Sequence, residues 1–210
     1  MSREQVLDAA DSVARRDGIE GLTVRSLSRE LGVTAPALYR HFPAKELVVD
    51  EVVDRIIGRT ELPGPEVGDW AERLRICFVS VHDQVAPYAG LAGRMAHQLP
   101  KSQSADRNGA YLDAVLGEAG VDEVNASRII FAVFVYTWGH LLAAEAMGGD
   151  GEGDPAEDSS RQQFLWGLDH LLDSFRQELR LRPRRTRRAT KSTAARGTHV
   201  SRPRPARRIR

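Results

Sequence analysis

Apolar residues recur at three- and four-residue intervals along most of the chain. The strict alternation a strand needs is almost absent, so the pattern predicts an all-α protein. Val6, Leu7, Ala10, Val13 and Ala14 mark one face of a first helix, with Gly18 placed to end it and Ile19 just beyond. Thr23 is a good N-cap, and Leu22 and Leu27 flank it at the spacing of a hydrophobic staple. A second helix is therefore expected over Val24–Leu31, stopped by Gly32. Thr34 is expected to cap a third helix in the same way. Val33 and Leu38 are its staple pair, and Pro36 lies in the first turn, where its missing N–H costs nothing. Phe42-Pro43 ends that helix. A fourth is expected over about 45–58, with Leu47, Val48, Val52 and Ile56 apolar and the poor cap Ala44 before it.

Residues 60–68 read as a connector. Helices follow over about 69–85, 87–97, 105–118, 123–147 and 160–181, with a Gly- and acid-rich loop over 148–158. Asp150, Glu152 and Asp154 alternate in that loop, but the full calcium-loop pattern and its distal Glu are missing. Ile129, Ile130, Phe131, Val133, Phe134 and Val135 are apolar all round the helix, which predicts burial on every side. The chain's own C-terminal half barely supplies that much cover; a dimer interface would help.

The longest strongly apolar run, Ile129–Tyr136, is far short of the roughly 20 residues of a membrane span. The polar start Met1-Ser2-Arg3-Glu4-Gln5 carries no signal-peptide pattern, and a single cysteine, Cys77, suits a reducing compartment. A cytoplasmic protein is expected. Cys77 itself, among Ile76, Phe78 and Val79, reads as a small buried hydrophobe before a redox sensor.

Composition adds little, at 41% hydrophobic and 28% charged, but the net charge of +1 hides an asymmetry. Residues 182–210 hold 12 of the 30 Lys and Arg and none of the 29 acids, which leaves residues 1–181 at a net −11. The basic stretch has three prolines and almost nothing apolar, so a disordered tail is expected. It could add DNA phosphate contacts, remain a solvated extension, or strap across the acidic body.

The second and third helices, joined by a tight glycine-containing turn, form a helix-turn-helix. Leu27, Leu31, Val33 and Leu38 would make its small core and fix the angle at which the third helix enters a major groove. Its outward residues would then face DNA. Thr34, Ala35, Pro36 and Ala37 lie at the positive N-terminal end, and Pro36 and Ala37 could meet a thymine methyl. Arg25 and Arg40 can grip guanine bidentately, and Tyr39 and Lys45 suit phosphate. His41 could join them or pack beneath the helix; Tyr39 and Phe42 could equally be core.

Residues 4–58 resemble the DNA-binding domain of the tetracycline-repressor (TetR) family. The carriers are Gly18-Ile19-Glu20-Gly21-Leu22-Thr23-Val24-Arg25-Ser26-Leu27, Leu31-Gly32-Val33, Pro36-Ala37-Leu38-Tyr39-Arg40-His41-Phe42 and Lys45-Glu46-Leu47. Trp70, Leu74, the 117–121 turn, Gly139 and Phe164–Leu172 extend the likeness to about residue 178. The resemblance implies an N-terminal DNA-binding domain over 1–58, whose fourth helix links to a ligand-binding and dimerisation domain over 69–181. It implies a homodimer whose two C-terminal helices form a four-helix bundle. It also implies a repressor that leaves a palindromic operator when a small molecule moves the fourth helix. An activator, a ligand-independent regulator, or an architectural binder relying on its tail are the alternatives.

Phe78, His82, Tyr88, Met95, His97, Tyr111, Phe134, Trp138 and His140 are the candidate effector contacts, since aromatics with a few polar tips suit a small-molecule pocket. Each could equally be core. His82 and His97 could coordinate a metal, but Ile56–Thr60 lacks a histidine of the kind that holds tetracycline–magnesium in the family, so no metal or cofactor is expected. No nucleophile elbow, phosphate loop, dinucleotide fingerprint or His-Glu-x-x-His is present, so an enzyme is not expected.

Overall fold

A computed structural model describes residues 2–97, 102–147 and 155–181. The calcium-like run within 148–154 and the basic tail over 182–210 lie outside them.

The described residues form helices α1 (Arg3–Asp17), α2 (Val24–Leu31), α3 (Ala35–Tyr39), α4 (Lys45–Gly58), α5 (Trp70–Val85), α6 (Leu91–His97), α7 (Gln103–Glu118), α8 (Glu123–Ala146) and α9 (Pro155–Leu181), with no strand among them. Local chemistry sets several of their ends. Thr23 Oγ1 accepts from the Ser26 N–H (3.0 Å) and Ser26 Oγ accepts from the Thr23 N–H (2.9 Å), closing a reciprocal capping box at the start of α2. Gly32 ends α2 in the left-handed region at φ 64°, as a helix stop there requires.

Three expectations change. Thr34 does not cap α3 with its side chain, so that helix is held by its backbone and by Leu38, and it is only five residues long. Helix α9 begins at Pro155, ahead of the expected 160, because a proline at the first helical position lacks only an N–H that has no partner there. Finally, α8 is not buried on every side within the chain. Ala126, Ile129, Val133, Thr137, Trp138 and Leu141 face the core, while Phe131 (68% exposed), Val135 (49%) and Val124 (61%) face outward. By length and composition α8 would pass for a membrane span; its inner face is core.

Two apolar cores hold the helices together. The first joins α1–α4 and continues into Val81 and Val85 of α5, Tyr88, Leu91, Ala92 and Met95 at α6, and Trp138 and Leu141 of α8. The second joins the first half of α5 with α7, α8 and α9 through Leu74, Phe78, Leu116, Val133, Phe164 and Leu168. The helix-turn-helix therefore shares buried apolar surface with the helices that carry the candidate effector contacts.

Candidate nucleic-acid interface and effector region

Leu27 and Leu38 are buried at 1% and 2%, with Leu31 half-buried against them. They anchor α3 on α2. In a helix, positions four apart share a face, so Pro36 and Arg40 both lie opposite Leu38. Both are exposed, as are Arg25 and Thr34; Ala35, Ala37, His41 and Lys45 are half-buried. Tyr39 is 48% exposed, whereas Phe42 is buried at 2%. Of the two aromatics, Tyr39 is thus on the open surface and Phe42 in the core.

Phe42 is held in a way the sequence did not reveal. The Arg3 guanidinium lies 4.5 Å from its ring centroid and pairs with Glu51, joining α1, the end of α3 and α4. Arg25, Arg40 and Lys45 make no ion pair with a described residue, unlike Arg16 with Glu30 or Arg55 with Asp8. Their charge is available to an outside partner.

The nine candidate effector residues fall into separate groups. His82 (5% exposed) stacks on Phe164 at 4.1 Å, and His140 meets both rings at 5.3 Å. Phe134 stacks on Trp138 at 4.5 Å. Phe78 is buried in the second core and Met95 in the first. Tyr111 donates to the Pro63 carbonyl (2.8 Å) and so holds the connector. Tyr88 is fully buried and bonded to Asp11 and Arg59. His97 is exposed at the end of α6 whereas His82 is buried, and no group of three metal-ligating side chains occurs among the described residues. Phe164, not among the nine candidates, completes a three-ring cluster with the two histidines; its i, i+4 spacing to buried Leu168 was the available signal.

Two buried polar atoms here have no partner among the described residues, Trp138 Nε1 and His140 Nδ1. Such a group costs about 1–3 kcal/mol unless something satisfies it. Burial, with the nearby His82, holds His140 below the usual imidazole range. Two surface clefts lie elsewhere. One of about 700 Å³ lies between α1, α4 and the start of α7, and one of about 400 Å³ between α5 and α9; none of the nine residues lines either. Burial pushes the Cys77 thiol up to about 12, which keeps it protonated and fits the buried-hydrophobe reading.

Asp83 links the two ends of this region. It accepts from His82 Nδ1 (3.2 Å) and from Arg161 (2.9 and 2.7 Å). Burial raises its pKa, but the hydrogen bonds and charges of His82 and Arg161 outweigh that and bring it to about 2. A depressed carboxylate contributes stability above its ordinary value of 3.8, and that contribution disappears as pH falls through about 2. Urea midpoints measured from pH 5 down to 2 should therefore drop more steeply for the unmodified chain than for Asp83→Asn; parallel curves would mean that the Asp83 pairing adds nothing.

Residues 6–52 match the family described as "Bacterial regulatory proteins, tetR family". The chain is 29% identical over 154 residues to the tetracycline repressor protein class C of Escherichia coli, covering 72% of this chain and 70% of that one. Over residues 6–52 the chain thus carries the DNA-binding signature of the TetR family, and along most of its length it is similar to a tetracycline repressor. TetR-family structures share its fold. A single-substitution variant of TetR from Acinetobacter baumannii, in complex with minocycline, superposes at a TM-score of 0.70 with 25% identity, covering 85% of this chain and 98% of that one. BioQ with its double-stranded DNA operator superposes at 0.64 with 24% identity, covering 83% and 98%. The matched segment runs from α1 into α4, so the family signature coincides with the helix-turn-helix and the helices that brace it.

Proposed function

We propose that this TetR-family chain is a homodimeric transcriptional repressor that binds a palindromic operator and leaves it when a small molecule binds between α5, α8 and α9. The observation that carries the DNA reading is α3. Its Pro36–Arg40 face is open and opposite a buried anchor, and three cations around it have no described protein partner. Arg25 and Arg40 would read base edges, Ala35, Pro36 and Ala37 would approach the bases, and Thr34, Tyr39, His41 and Lys45 would hold phosphates. BioQ, of the same fold, is found in complex with its double-stranded DNA operator. Non-enzymatic action and a cytoplasmic location follow from the same reading.

Support for the effector comes from the unpartnered Trp138 Nε1 and His140 Nδ1 beside stacked aromatic rings, and from the minocycline complex of a relative. Support for the dimer comes from the outward apolar residues of α8 and α9, Phe131, Val135 and Trp166. Two half-sites about 34–36 Å apart tolerate little change in spacing, so a small shift in each subunit would lose contacts at both.

The test is selection of duplexes from a random DNA pool by the full-length chain at near-physiological salt. A recovered palindrome supports the reading. Against that palindrome, Arg40→Ala should relax preference at one base pair per half-site, at a cost of about 1–3 kcal/mol. Lys45→Ala should weaken all duplexes alike and lower the slope of affinity against salt by about 1. Recovery of no sequence would overturn the repressor reading and favour a non-specific binder.

A further inference from the structure

Helix α3 packs on α2, and α2 packs on α1, so the pose of the DNA-facing helix follows that of α1. Helix α1 in turn is fastened to the turn between α5 and α6 at two adjacent residues. The fully buried Tyr88 donates its hydroxyl to Asp11 (2.7 Å) on α1 and accepts from Arg59 (3.1 Å), the C-cap of α4. Arg59 also reaches Asp11 (3.3 Å), and the Arg15 guanidinium lies 4.8 Å from the Tyr88 ring centroid. One residue on, the Ala89 carbonyl accepts from the Ile19 N–H (2.9 Å) in the α1–α2 turn. Gly18 makes that approach possible: its φ is 73°, and a Cβ there would stand 3.0 Å from the Ala89 oxygen.

The same turn leads at once into α6, which is tied to α8. The Ala92 N–H donates to the Glu145 carboxylate (3.2 Å), and Glu145 is on the helix that also carries Phe134, Trp138 and His140. A continuous set of short contacts therefore runs from α8 through Glu145 and Ala92 to Tyr88 and Ala89, and on to Asp11 and Ile19. The covalent route, by contrast, is the connector between α4 and α5, which has no helix of its own.

We infer that the Tyr88 hydroxyl is a positioning group that transmits displacements of α6 and α8 to α1, and so sets the pose of the DNA-facing helix. The inference rests on the proposed DNA binding. A ring alone would fill the same space, but apolar packing is non-directional, whereas hydrogen bonds to Asp11 and Arg59 set a distance and a direction. Removing the hydroxyl keeps the core filled and breaks the side-chain fastening of α1 and α4 to the turn, leaving only the Ile19–Ala89 backbone bond there.

The experiment is a double-mutant cycle in the full-length chain. It reads affinity for the palindromic duplex recovered by selection and for an unrelated duplex of equal length. Glu145→Ala alone and Tyr88→Phe alone should each weaken palindrome binding about three- to tenfold, as the competent pose becomes less populated, and leave the unrelated duplex within about twofold. Together they should cost about as much as Tyr88→Phe alone, because Glu145 then has no hydroxyl-mediated link to α1 left to act through. Asp11→Asn provides a second variant that breaks the same bond from the other side. Additive losses, or equal losses on both duplexes, would overturn the inference and leave Tyr88 as core filling. An unmodified chain with no preferred duplex would instead remove the DNA reading on which it depends.

Discussion

On the proposed reading of a homodimer on a palindrome, Trp166→Glu should give a monomer and weaken binding to that palindrome by about 100-fold or more, since two linked half-site contacts become one. Trp166 is 65% exposed on α9, with its ring 4.1 Å from that of His170. On the neighbouring α8, Phe131 and Val135 are also exposed, four residues apart on one face. Single exposed apolar residues are ordinary, but three large ones on two packed helices are what an interface on those helices would need. A carboxylate placed there would have to lose its water on association, a cost added to the lost apolar burial. Sedimentation velocity gives the mass and a duplex titration the affinity. A dimer that survives with unchanged affinity would place the interface elsewhere.

Phe42→Ala should unfold the DNA-facing part of the molecule and abolish sequence-selective binding. Phe42 is buried at 2% where α3 ends, in the same core as Leu38, Val48 and Val52, and beneath the Arg3 guanidinium. Truncating a buried phenylalanine costs about 3–5 kcal/mol, because the cavity it leaves cannot fully collapse. Helix α3 has five residues and no side-chain cap, so it has little intrinsic stability with which to absorb that loss. In a chain of this size the melting midpoint should fall by about 10 °C. Amide exchange in α1–α4 should rise more than in α7–α9, which pack chiefly in the second core. A variant that melts like the unmodified chain would show that Phe42 is not the anchor described.

The legible parts were those governed by short-range chemistry. Helix α2 runs over Val24–Leu31, the span Thr23 and Gly32 predict, because a cap and a stop act within one turn; α4 runs over Lys45–Gly58, as its periodicity predicts, without a side-chain cap. The exposed surface of the helix-turn-helix was legible for a related reason: once Leu27 and Leu38 are inside, the helical period leaves Arg25, Pro36 and Arg40 outside. The effector region was much less so. His82, Trp138 and His140 look alike in sequence to Tyr88 and Tyr111, aromatic groups with one polar end. Only packing made Tyr111 a brace for Pro63, left His97 on the surface and set Phe164 against both His82 and His140.

The sequence by itself determined the helical class, most helix ends, the helix-turn-helix and the charge division between residues 1–181 and 182–210. Each depends on periodicity, capping or composition, which act between near neighbours in the chain. The tertiary structure alone decided that α8 has one buried and one open face, that Asp83 pairs with Arg161, and that Asp11 of α1 meets Tyr88 across 77 positions. Contacts of that range depend on how whole helices pack against one another, and no local pattern of residues specifies the partner.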